Sequence, residues 1–147
     1  MIEPLVRRPH LPLPPLRRFL RQAQRAAGLE GEIGLRLMDD FGIQALNRKF
    51  RHHDAPTDVL SFAGARDNYL GDLAISLDTA ARQARARRHR LEVEVRILLL
   101  HGLLHLGGWD HETDGGEMRR LECLLRRQLG LPPGLLERQS GRRIKGR

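Results

Sequence analysis

Cysteine is almost missing from this chain: one, Cys123, in 147 residues. A single thiol excludes an internal disulfide and fits a reducing compartment. It lies among leucines in a helical pattern, so core packing is its expected role. Aromatic residues make up only 4%, so the core must be built from Leu, Ile, Val and Ala. Lysine is scarce as well, with Lys49 and Lys145 the only two. Long hydrophobic runs are absent. The longest, Ile97 to Leu100, is far too short to cross a bilayer. The first residues hold no apolar run of signal-peptide length. The expectation is a soluble, cytoplasmic protein that makes no membrane contact.

What the chain has in quantity is arginine. Lys and Arg total 26 against 18 Asp and Glu, a net charge of +8. Arginine binds phosphate bidentately, and neutralised phosphates release counterions. Charge of this kind suits a polyanion partner, although a solvated surface would look the same. The groups around Arg82 to Arg90 and Arg138 to Arg147 are the candidate contacts.

The length suits one domain with one core. Residues 1–138 are read as that domain. Residues 139–147 form a basic tail with little to bury, expected to be disordered. The pattern predicts a strand within Ile2 to Arg7. A Pro-rich connector then leads into a helix from Leu16 to Ala27, closed by Gly28. Alternation of Ile33, Leu35 and Leu37 marks a strand over Glu32 to Met38. Asp39 or Asp40 caps a helix to Phe50. Short strands follow at Asp58 to Phe62 and Leu70 to Ser76. Asp78 is the expected cap of a helix to Arg88. Leu91 to Leu106 is a long apolar helix. The last helix, Asp114 to Leu129, turns Met118, Leu121, Leu124, Leu125 and Leu129 inward and stops at Gly130 and Pro132. The fold class is therefore α+β: a small mixed sheet of about four strands packed with about five helices.

The chemistry is concentrated in His101-Gly-Leu-Leu-His105-Leu-Gly-Gly-Trp-Asp-His111. His101 and His105 lie one helical turn apart on one face. Gly107 and Gly108 offer a helix end, so the chain can turn back and bring His111 to the same point. Three imidazoles with a fourth position open is the arrangement of a catalytic zinc site. The spacing is that of the long zincin motif, whose general base is a glutamate directly after the first histidine. Here that position is Gly102, which argues against a peptidase.

A second motif lies upstream: Asn47-Arg-Lys-Phe-Arg51-His-His-Asp54-Ala-Pro56-Thr57-Asp58-Val-Leu-Ser61-Phe62, then Leu70-Gly71-Asp72-Leu-Ala-Ile75-Ser76. Together with the histidine motif, and with Met118 and Glu122 on the next helix, these residues resemble the YbeY family of bacterial endoribonucleases, the rRNA maturation factors. The likeness runs in order from about residue 32 to residue 130. Leu73 and Trp109 stand where the family usually has isoleucine and tyrosine. The resemblance implies a zinc-dependent endoribonuclease acting on single-stranded RNA. Its implied tasks are maturation of the 3′ end of 16S rRNA and ribosome quality control, with ribosomal RNA and the small ribosomal subunit as partners and no DNA. The implied metal ligands are His101, His105 and His111, and the implied catalytic residue is Arg51.

Read on their own chemistry, the same residues leave some roles open. An arginine fork can hold charge developing on a phosphate, and Arg51 is the best candidate for it; the alternative is a structural ion pair with Asp54 or Asp58. Asp54, Pro56 and Thr57 are turn residues, and Asp72 is expected to support structure. His52 and His53 are expected to be exposed loop residues. Asp110, zinc hydroxide and the RNA 2′-hydroxyl all remain open as the base. Three imidazoles also suit Ni²⁺ and other divalent metals. The rival functions are a zinc peptidase-like hydrolase, or a ribosome-associated RNA-binding factor with a structural metal.

Overall fold

The computed structural model describes residues 2–4, 8 and 11–138. The expected basic tail, 139–147, lies outside the described residues, as do positions 5–7 of the first expected strand. The element order is β1 (Ile2–Pro4), α1 (Leu13–Ala27), β2 (Glu32–Met38), α2 (Asp40–Arg51), β3 (Val59–Ala63), β4 (Tyr69–Ser76), α3 (Leu77–Arg87), α4 (Leu91–Leu106) and α5 (Glu117–Gln128). The fold is α+β, as the sequence pattern predicts. Residues 135–138 add a last helical turn.

The four strands form one sheet in the order β1-β2-β4-β3. β1 and β4 run parallel to β2, and β3 runs antiparallel to β4. β3 is therefore an edge strand. Strand alternation sends Ile33, Leu35, Leu37, Leu73 and Ile75 to one face, into the main core with α1 and α4. The opposite face, through Leu60 and Ala74, packs on Ile43 of α2.

Helix α4 is the centre of the molecule. It touches β3, β4, α1, α3 and α5, so it is apolar on nearly every side rather than along one stripe. Gly102 shows how tightly it sits. A Cβ there would come within 2.8 Å of Leu73 Cδ2 and 3.2 Å of Ser61 Oγ. The position that carries the glutamate in zincins is thus packed against side chains of the sheet.

Several expectations are corrected. Helix α1 begins at Leu13, three residues before Leu16, because Pro14 and Pro15 occupy its first turn, where the missing N–H costs nothing. Ser76, not Asp78, caps α3 by accepting from Thr79 N. Asp78 instead receives Arg8 and the Asp40 backbone N–H. Helix α5 starts at Glu117 rather than Asp114, whose carboxylate accepts from Gly116 N and Met118 N just ahead of it. Leu124 points outward while Glu122 is buried in its stead. Cys123, one position further round, is only half-buried, beside Glu137 and Arg126. Arg138 is not a surface cation: it is buried and forms a forked pair with the buried Glu94, whose carboxylate also meets His89 Nε2 at 2.6 Å.

Candidate metal centre

The site is built where α4 ends. Leu103 and His105 carbonyls take the Gly107 and Gly108 N–H groups, and Trp109 N donates to the Leu104 carbonyl. Gly108 has a left-handed φ of 96°, a conformation glycine adopts without strain, and there the chain reverses. A tight turn follows, with Thr113 N and Asp114 N both donating to the Asp110 carbonyl. His111 rides on that turn and meets the two histidines of α4.

The outcome is a compact cluster. One ring nitrogen from each of His101, His105 and His111 lies within 4.8 Å of the others. The ring centroids stand 4.9, 5.4 and 5.1 Å apart. A glutamate holds the first ring. His101 Nδ1 lies 2.8 Å from Glu122 Oε2, and both side chains are buried. With Nδ1 donating to this carboxylate, the Nε2 lone pair is the one left for a cation. The second ring, His105, donates to the Trp109 backbone carbonyl. Burial, and then the neighbouring rings of His101 and His111, hold its pKa below the ordinary histidine value. That too preserves a lone pair at neutral pH. The third ring has a buried Nδ1 with no hydrogen-bond partner. Such orphaned atoms are uncommon in folded proteins, and a ring nitrogen reserved for a cation is in this state. The three histidines can hold a metal ion, and their chemistry fits one.

The cluster forms the floor of a cleft of about 880 Å³. Arg51, Ser61, Phe62, Trp109, Asp110 and Glu112 also line it. Arg51 reaches it from the end of α2. Its guanidinium lies 4.9 Å from the Phe62 ring centroid and donates through Nη2 to the Ser61 carbonyl at 2.5 Å. The expected structural alternative, a pair with Asp54 or Asp58, is not what forms. Asp54 pairs with Arg48 and accepts from Gln44, and Asp58 accepts from Val59 N and Gln83. The fold thus places Arg51 and the three histidines, about fifty residues apart in the chain, on one cleft.

The family model of endoribonuclease YbeY matches residues 15–130. The chain belongs to the endoribonuclease YbeY family. It is 48% identical over 122 residues to Endoribonuclease YbeY of Koribacter versatilis, covering 83% of this chain and 80% of that protein. It is 47% identical over 125 residues to that of Solibacter usitatus, covering 85% and 84%. The solution structure of TM1509 from Thermotoga maritima shares the fold, with a TM-score of 0.61 at 24% identity over 88% of this chain and 89% of that one.

Within this YbeY-family fold, Asp110 shares the cleft with the histidines, whereas Asp72, His52 and His53 do not line it. Asp72 receives the Tyr69 hydroxyl and lines a separate small cavity with Arg36, Phe50 and Phe62. His52 and His53 are exposed, and His52 closes α2 in a left-handed conformation. Asp110 lines the cleft, and its Oδ1 accepts from Glu112 N. Glu122 had no assigned role in the sequence reading. Its signal was there: a charge four residues after Met118 and three before Leu125, inside the apolar stripe of α5. Ser61 was also missed. Its hydroxyl donates to the Gly102 carbonyl at 3.1 Å and ties β3 to α4, the helix that carries His101 and His105.

Proposed function

We propose that this chain is a zinc-dependent endoribonuclease that cuts single-stranded RNA, in maturation of the 3′ end of 16S rRNA and in ribosome quality control. The observation that carries this reading is a three-histidine cluster, with no fourth protein ligand grouped with it among the described residues, facing Arg51 across one open cleft. Kinship with proteins named Endoribonuclease YbeY supports an RNA substrate. The small ribosomal subunit is the proposed partner and the cytoplasm the proposed location. No helix among the described residues is long and apolar enough to cross a membrane.

His101, His105 and His111 would hold the ion. Bound there, it supplies Lewis acidity toward a phosphoryl oxygen and toward water. Arg51 directs a planar, permanently charged fork into the same cleft, where charge builds on the phosphate during displacement. Phe62 beneath it and the Ser61 carbonyl fix the orientation of that fork. Asp110 stands at the rim as a proton acceptor whose carboxylate already accepts from Glu112 N. Zinc is the proposed metal; nickel and other divalent ions fit three imidazoles as well.

A peptidase is disfavoured twice. The chain has Gly102 where zincins carry the glutamate, and even a Cβ there would press on Leu73, Ser61 and Val59. Arg51 also occupies the Ser61 carbonyl on the edge strand, where an extended peptide would add as a further strand. The test is metal analysis of the purified protein, paired with cleavage of an unstructured RNA before and after chelation. One equivalent of metal and chelator-sensitive cutting are expected. Metal binding without cleavage, free or on the small subunit, would favour an RNA-binding factor with a structural metal.

A further inference from the structure

We propose that Trp109 is a stacking platform for an unpaired nucleobase next to the scissile phosphate. This inference rests on the endoribonuclease reading of the cleft.

Trp109 is 38% exposed, and of the four exposed large hydrophobic side chains it alone lines the histidine cleft. Among the described residues no ring or cation stacks on its indole, whereas Phe62 on the same cleft is already covered by Arg51 and by the edge of Phe50. The backbone that carries the indole is also held in place. The Trp109 N–H donates to Leu104, and its carbonyl accepts from His105. An exposed aromatic on a fixed backbone gives up little freedom when a flat ligand lands on it.

Charge decides which part of a nucleotide meets this wall. Asp110 and Glu112 flank the cleft beside Trp109, and two carboxylates repel a phosphate. Among the described residues Arg51 is the one arginine lining the cleft, and the third carboxylate there, Asp58, is taken up by Val59 N and Gln83, so a phosphate belongs beside Arg51. A strand lying across the histidines therefore turns its backbone toward Arg51 and a base toward Trp109. Only an unpaired base has a free face for this, so the platform also selects single strands.

Trp109 is the single tryptophan in the chain, so fluorescence excited selectively at the indole reports on this site alone. The wild-type protein is titrated with an unstructured RNA oligonucleotide and with an abasic strand of the same length and charge. Quenching is expected with the first and not the second. Trp109→Leu and Trp109→Tyr are then compared, with metal content measured on both. At full metal content, Trp109→Leu should raise KM for single-stranded RNA on the order of tenfold with a much smaller change in kcat, and Trp109→Tyr should recover most of the loss. Equal quenching by both strands, or none at saturation, overturns the proposal, as does an unchanged KM in Trp109→Leu. Cleavage without quenching would sink this inference and leave the nuclease reading intact. Base-dependent quenching without cleavage would do the reverse.

Discussion

Glu122 links His101 to the turn that holds Leu136. Its Oε2 meets His101 Nδ1 at 2.8 Å, and its Oε1 accepts the Leu136 N–H at 3.0 Å. One buried carboxylate therefore orients a ring of the histidine cluster and anchors the last described turn. Both contacts need an acceptor. Glutamine has one acceptor oxygen, so Glu122→Gln must point an amide N–H at one of the two donors. Metal affinity should fall about ten- to a hundredfold, as loss of a ligand's supporting carboxylate does. A competition titration against a chelator measures it. Unchanged affinity would show that the ring needs no such partner.

Gly102 yields a second test. A methyl group there meets Leu73, Ser61 and Val59. Overpacking of this kind costs about 1–3 kcal/mol, offset by the ~1 kcal/mol helix advantage of alanine over glycine. Gly102→Ala should lower the unfolding midpoint by a few degrees, at roughly 2–4 °C per kcal/mol for a chain of this size. Gly102→Glu should fail to fold stably and should gain no peptidase activity. A stable Gly102→Glu variant would mean that the sheet does not exclude a base at this position.

Much of this architecture is legible in the sequence, and the losses have physical causes. Both ends of α4 and of β2 are readable, because unbroken apolar runs and clean alternation are local signals. The start of α1 is hidden because Pro14 and Pro15 read as breakers, although a first turn accepts them. The three histidines can be found from spacing, since two share a helical turn and a glycine reverses the chain before the third. Arg51 is legible as a site residue only through the family resemblance. Glu122 and Ser61 escape because their partners lie 21 and 41 residues away. A buried carboxylate looks like a surface one until the facing helix is in place.

Acid stability should depend on Glu137. The hydrogen bond from Arg126 lowers its carboxyl pKa from the ordinary 4.5, against the opposing push of burial. A lowered folded-state pKa means that the unfolded chain binds the extra proton. The stabilisation is therefore complete above about pH 4.5 and is lost as pH falls through the lowered folded value. Glu137→Gln removes this contribution. The variant should be less stable at neutral pH and should show a shallower acid limb in denaturant midpoints measured against pH. An acid limb parallel to wild type would place the dependence elsewhere.

Arg51 is the residue on which the proposed chemistry turns. Its guanidinium gives Nη2 to the Ser61 carbonyl and lies over Phe62, so two neighbours fix its plane before any substrate arrives. That is what a donor aimed at a developing charge requires, because no reorganisation is then needed during reaction. The same contacts could serve only to pin α2 to the edge strand, and the two roles separate by measurement. Arg51→Lys keeps the charge but loses the fork and the flat face. Arg51→Ala loses all three. Both variants should retain full metal content and fold normally, since the pair to Ser61 lies at the surface. Cleavage of single-stranded RNA should fall roughly a hundredfold or more in Arg51→Ala, the usual cost of one transition-state donor. Arg51→Lys should recover only a small part, because a point charge cannot reproduce the planar contact. RNA affinity should change far less in either, because most of the arginines remain. A wild-type cleavage rate in Arg51→Ala, or loss of folding in both variants, would make Arg51 a structural staple and move the electrophilic role to another group.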